Sequence, residues 1–108
     1  MRRGDLVTIA MQGDFGKPRS VLVVQADLFD EHATVTILAV SGTPIDAPLF
    51  RITVQRGAGI GLQKASQIMS DKAMTVKRDK LGPAFGRIDA NTMVAVERCL
   101  AVFLGIAR

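Results

Sequence analysis

The chain has 108 residues, 48% of them hydrophobic and 22% charged. That is the length and balance of one globular domain, residues 1–108, and it argues against disorder. The net charge of +4 favours polyanionic partners through weak steering and says nothing about fold.

In chain order, Met1 to Asp5 is basic but lacks the apolar core of a signal peptide. Leu6-Val7-Thr8-Ile9-Ala10 reads as a strand of β-branched and apolar residues. Gln12 to Pro18 is a loop punctuated by two glycines and a proline. Pro18 fixes its own φ and biases Lys17 toward an extended conformation, so Arg19 leaves a stiffened turn. Val21 to Val24 is a nearly continuous apolar run, suited to a central strand covered on both faces. Asp27 to His32 is polar and turn-like. Thr34 to Val40 is a third strand, broken by Ser41-Gly42-Thr43-Pro44. Phe50 to Val54 alternates, which suggests a strand with one wet face. Arg56 to Gly61 is a glycine-rich connection that reads as a mobile loop, and Ser66 to Ser70 is another short strand.

The next stretch is basic, with Lys72, Lys77, Arg78, Lys80 and Arg87 relieved by Asp71 and Asp79; a solvated face is the ordinary account. Phe85 to Ile88 reads as a final short strand. Asp89 has the place of a helix N-cap, and Thr92 to Leu104 follows as a helix, with Met93, Val96, Leu100 and Phe103 recurring at steps of three and four. Cys99, the only cysteine, lies in this apolar segment as a small buried thiol. It permits no intrachain disulfide and no zinc site built from thiolates. Gly105 stands where a C-cap belongs. No apolar run reaches the ~18 residues needed to span a bilayer, so a cytoplasmic protein is the simplest reading.

Closely spaced strands with one terminal helix predict a mainly β fold, a small barrel of curved antiparallel sheet. The helix is apolar nearly all round, and a symmetric dimer would cover the surplus.

The chemistry is chosen by elimination. Gly57-Ala58-Gly59-Ile60-Gly61 does not have the G-x-G-x-x-G spacing and leads into no helix, so it is not a dinucleotide or P-loop motif. His32 is the only histidine, in an exposed Asp30-Glu31-His32 turn, which leaves no two-histidine acid–base pair and no clustered metal ligands. No metal and no cofactor is expected. With five phenylalanines and neither Trp nor Tyr, a wide aromatic platform for stacked bases is poorly supported. What remains is arginine, hydroxyl and carboxylate at strand ends: Arg19 before the second strand, Ser41 and Thr43 after the third, Asp71 after the fifth. Such a set suits a metal-free reaction at a phosphodiester, with an arginine neutralising the developing charge. In RNA the neighbouring 2′-hydroxyl supplies the nucleophile. On the residues alone, a solvated charge capping a strand is the favoured reading of Arg19, and Ser41 to Pro44 is equally a plain turn.

Arg3-Gly4-Asp5-Leu6-Val7, followed by Gly16-Lys17-Pro18-Arg19-Ser20-Val21-Leu22-Val23-Val24-Gln25, resembles the opening of the MazF/PemK-type toxins. Ala47 to Ile52, Ser66 to Lys72, Leu81 to Asp89 and the helix from Val96 to Gly105 match that family in type and order, so the resemblance covers nearly the whole chain. It implies an SH3-like barrel of the CcdB/PemK-like toxin fold, a homodimer, and a sequence-specific, metal-independent endoribonuclease that cuts single-stranded RNA. The products would be a 2′,3′-cyclic phosphate and a 5′-hydroxyl, and a cognate antitoxin would inhibit the enzyme. By resemblance, the catalytic positions fall on Arg19, Ser41 and Asp71. Lys17, Thr43, Lys72 and Lys77 would contact RNA, and the loop from Met11 to Lys17 would gate the site.

The sequence departs from the family pattern in four places, one of them a short first loop. Proline precedes the arginine instead of following it. Serine stands at the usual threonine, with Thr43 a competing hydroxyl. Met69 and Met74 stand where many relatives carry a further arginine. The competing expectation is a noncatalytic CcdB-like toxin on the same fold that poisons DNA gyrase, and fold alone does not separate the two.

Overall fold

The computed structural model describes residues 1–10, 18–57 and 60–107. Among them the chain forms strands β1 (Asp5–Ala10), β2 (Pro18–Val23), β3 (Thr34–Ser41), β4 (Arg51–Val54), β5 (Ser66–Lys77) and β6 (Leu81–Arg87), then helix α1 (Ala90–Phe103). The Asp27 to His32 turn contains one 3-10 turn, Asp27–Phe29. No helix of the described residues is long and apolar enough to cross a membrane.

The strands make one sheet in the order β4-β5-β3-β2-β1-β6, antiparallel at every pairing. The apolar runs explain the order. Val21, Leu22 and Val23 are all buried, as befits β2, which lies between β1 and β3 and is covered on both sides. Alternate residues feed two cores. Leu6, Leu22, Leu38, Val54 and Ile68 pack with Met93 and Val96 of α1. Val7, Ile9, Val21, Val23, Val35 and Ile37 form the other core, covered by Met74, Val76 and Leu81.

β5 departs from the expected short strand. It runs for 12 residues and carries Asp71, Lys72 and Lys77 within it. Its first part pairs with both β3 and β4, and its second part continues along β3 alone. Between the pairs Val40↔Ile68 and Leu38↔Ala73 the register shifts, so Met69 to Lys72 bulge out opposite Ala39. A bulge breaks the two-residue period and re-aims side chains. That is why the sequence pattern of β5 ends before Asp71.

The predicted barrel is an open sheet, with β4 and β6 as its edges. The turn after β4 nevertheless lies directly on β6. A side chain at Gly61 (φ +83°) would meet the Phe85 backbone, and one at Gly86 would meet the Ile60 carbonyl. Only glycine tolerates both the positive φ and so close a backbone approach.

Asp89 caps α1, accepting a 2.6 Å hydrogen bond from the Thr92 backbone N–H. Hydrogen bonds from the Thr92 side chain and backbone hold its carboxyl below the usual aspartate range. Gly105 has φ +75° just past the helix, the conformation of a glycine stop. Val96 is fully buried, whereas Val94, Val102, Phe103, Leu104 and Ile106 are exposed. Cys99 is half-buried, not buried as expected, because only the Met93 and Val96 side of the helix meets the sheet.

The basic stretch does not form one face. Arg87 pairs with Asp5 at 2.7 Å, and Arg78 Nε donates to the His32 carbonyl at 2.8 Å. His32 lies in the exposed turn expected for it, its ring edge-on to Phe29.

Candidate active site

Pro18 opens β2, a strand position where its missing N–H is tolerated. Arg19 follows, in register with Ile9 of β1. On the adjacent strand, β3 ends at Ser41, in register with Gln67 of β5. There the chain turns. The Ser41 hydroxyl accepts from the Thr43 N–H at 3.1 Å and lies 3.3 Å from the Thr43 carbonyl, a local turn that serine favours. Buried Gln67 anchors the chain beyond this turn. Its Nε2 donates to the Ile45 carbonyl at 2.8 Å and to Thr53 Oγ1 at 3.2 Å, and its Oε1 accepts from the Ile45 N–H at 3.0 Å.

These elements surround a cleft of about 530 Å³ whose walls include Arg19, Ser41, Thr43, Asp71 and Lys72. Five sequence-predicted residues, from three neighbouring strands and the turn after β3, thus share one opening. Met69 and Met74 line it too. Lys77 does not. It stands at the far end of β5 with Arg78 and Asp79, at a separate hollow beside Ala33 and Thr34. Lys17 and the proposed gate, Met11 to Lys17, lie outside the described residues, as does part of the glycine-rich connection.

The β5 bulge also brings Asp71 to a residue that sequence reasoning missed. Arg51 Nε lies 3.9 Å from Asp71 Oδ1, with side-chain exposures of 13% and 17%. Lys72 Nζ is 3.9 Å from the other carboxylate oxygen. Both separations exceed a hydrogen bond. Arg51 Nε, Asp71 Oδ1 and the neighbouring Ser70 hydroxyl are buried with no hydrogen-bond partner among the described residues. Polar groups so placed are rare and point to function more often than exposed charges do. Alternation puts Arg51 on a wet face with Thr53, but its side chain is largely buried beside Asp71. A cation beside Asp71 therefore comes from β4, not from the two methionine positions.

A second hollow, of about 660 Å³, adjoins the first and shares Arg19, Ser20, Val40, Gly42 and Thr43 with it; Lys64 and Phe85 lie on its far walls. Among the described residues, no three His, Cys, Asp or Glu side chains gather as a metal-ligand set. Chemically, the first cleft offers a guanidinium, two hydroxyls and a carboxylate flanked by cations. That combination binds an anion and handles one proton.

A family model described as PemK-like, MazF-like toxin of type II toxin-antitoxin systems matches residues 2–104. A probable endoribonuclease MazF of Mycolicibacterium smegmatis is 45% identical over 108 residues, covering 99% of each chain. Among solved structures, an endoribonuclease from a mycobacterial species, in complex with its cognate antitoxin, superposes with a TM-score of 0.81 at 23% identity. It covers 100% of this chain and 98% of that one. The Mycobacterium tuberculosis toxin MazF-mt6 gives a TM-score of 0.79 at 21% identity, over 95% and 99% of the two chains. At these identities the structural matches speak for the fold.

Proposed function

Because the chain belongs to the PemK-like, MazF-like toxin family, we propose that it is an endoribonuclease toxin that cuts single-stranded RNA at the cleft between β2, β3 and β5. The observation that supports this most is the convergence of Arg19, the Ser41–Thr43 turn and Asp71 on one opening.

In this reading the substrate's own 2′-oxygen attacks the adjacent phosphorus and the bond to the 5′-oxygen breaks. The proton of the 2′-hydroxyl passes to Asp71, and the departing 5′-oxygen takes a proton from water to leave as a hydroxyl. The other product is a 2′,3′-cyclic phosphate. Arg19 spreads its guanidinium along the phosphate, where charge builds up in the transition state. Thr43 is the better placed hydroxyl to donate to the phosphate. Its Oγ1 has no hydrogen-bond partner among the described residues, whereas that of Ser41 is engaged in the turn. Arg51 places its positive charge beside the Asp71 carboxylate, and Lys72 adds positive potential at the mouth. No metal takes part in the proposed steps.

A cognate antitoxin is the proposed inhibitor. It would offer acidic side chains to a cleft that otherwise takes phosphates. A second copy of the chain is the proposed partner for the exposed side of α1.

The test is incubation of the purified protein with a long single-stranded RNA in EDTA, with mapping of cut sites and end groups. Cuts at a short recurring sequence, with cyclic phosphate and 5′-hydroxyl ends, are expected. Cleavage only with added magnesium, or no cleavage together with arrest of DNA gyrase, would overturn the reading.

A further inference from the structure

The second hollow has a composition of its own. One wall is the turn that carries the candidate hydroxyls. Lys64 lies across Gly42 of that turn so closely that a Cβ there would sit 2.5 Å from Lys64 Cε and 2.9 Å from its Nζ. The missing side chain lets the ammonium rest against the backbone between Ser41 and Thr43. Lys64 has no acidic partner among the described residues. The other wall is Phe85 of β6, 37% exposed. Its ring lies against Gly61, where a built Cβ would be 3.0 Å from Phe85 Cδ2, so the backbone braces the ring from one side. Thr8 and Ser20, paired across β1 and β2, lie along the same hollow. Arg19 belongs to both hollows.

A braced, part-exposed aromatic ring and an uncompensated ammonium, lining one hollow, match the two parts of a nucleotide. The ring offers a π-face to a base, and the ammonium offers a point charge to a phosphate. We infer that this hollow is a nucleotide subsite flanking the scissile linkage, in which Phe85 stacks the base and Lys64 holds that nucleotide's phosphate. The inference rests on the reading that the chain binds and cuts single-stranded RNA. With Arg19 at the shared wall, the RNA strand passes over the sheet rim from one hollow into the other. Aromatic stacking tolerates any base, so this subsite supplies affinity and register, and sequence choice lies with other contacts.

The experiment is fluorescence-anisotropy titration of a labelled, mixed-sequence single-stranded RNA carrying 2′-O-methyl groups, which block cleavage, at several salt concentrations between about 50 and 200 mM, the range over which phosphate contacts show. Lys64→Ala should flatten the slope of log Kd against log salt by about 0.7, the value of one phosphate contact on a single strand. Phe85→Ala should weaken binding about tenfold with the slope unchanged. Phe85→Leu, which keeps apolar bulk, should weaken it similarly, and Phe85→Tyr should retain wild-type affinity. If Phe85→Ala does not fold, by circular dichroism, the Leu and Tyr variants carry the comparison.

Wild-type affinity and slope in both Lys64→Ala and Phe85→Leu would overturn the subsite. So would variants that lose binding to an acidic peptide while RNA binding stays intact. A wild-type protein that neither binds nor cuts any RNA would instead sink the functional reading on which the subsite rests.

Discussion

Ser70 is fully buried, and its hydroxyl has no hydrogen-bond partner among the described residues. Replacing it with alanine should stabilise the fold. Burying a hydroxyl without a partner costs about 1–3 kcal/mol by mutational measures. Against that, deleting one atom from a packed site forfeits dispersion contacts and leaves a small void, at a cost below that of a lost methyl, which is about 1 kcal/mol. The net gain is about 1 kcal/mol. At about 2.1 cal/mol/K per residue, a chain of 108 residues has an unfolding entropy of about 0.23 kcal/mol/K, so the melting midpoint should rise by about 4 °C. Differential scanning calorimetry, with urea unfolding as a check, measures this. The urea m-value should not change, because the surface exposed on unfolding is the same. A midpoint lowered by a few degrees would refute the reasoning, since it would mean that the hydroxyl is satisfied in the folded protein. Ser70 precedes Asp71 on the bulge, so the same variant should be assayed for RNA cleavage. Lost activity with gained stability would be the ordinary trade at a working site.

Arg19→Ala should lower RNA cleavage by at least about 10²-fold, the effect of removing a charge-stabilising donor, with oligomeric state by light scattering unchanged; cleavage at the wild-type rate would sink the mechanism. Thr43→Val should slow cleavage more than Ser41→Ala, and Ser41→Ala should be the more damaging to thermal stability, because it removes the bond that closes the turn. Single-turnover rates and melting curves separate the two effects. Asp89→Ala should lower the melting midpoint at neutral pH. Because the folded-state pKa of Asp89 is depressed, its contribution is complete above the unfolded-state pKa and is lost as pH falls through the folded-state value. The gap between wild type and variant should therefore close in strong acid, below the usual aspartate range. Asp89→Asn, which can still accept from Thr92, should change the midpoint less than Asp89→Ala.

Where side-chain chemistry is local, it is legible in the sequence. The apolar runs of β1, β2 and β3, the Asp89 cap and the Gly105 stop each follow from a few adjacent residues. Arg19, Ser41 and Asp71 are identifiable as chemical types, and resemblance puts them in order. Their convergence needs the sheet order, which no single segment encodes. The bulge at Met69 to Lys72 is illegible because it abolishes the alternation by which a strand is recognised, and with it go the length of β5 and the placement of Lys77. Arg51 is hidden for the same reason: its surroundings come from a strand 20 residues away. Lys64 looks like one more surface lysine. Its setting depends on the absence of a side chain at Gly42, a contact across the fold.

The pairing of β1 with β6 has a consequence for how the protein is made. Ile9 finds its partner in Leu81, 72 residues later, while its other neighbour, Arg19, is only 10 residues on. On the ribosome, β1 therefore waits with one edge open until residues 81–87 have been made. The elements of the first cleft end with β5, so its walls precede the strand that completes the sheet. Contacts this distant in sequence slow folding and leave a strand edge exposed meanwhile. For a protein that would cut messages, emergence from the ribosome is then the moment at which a binding partner has both the cleft and an unpaired β1 within reach.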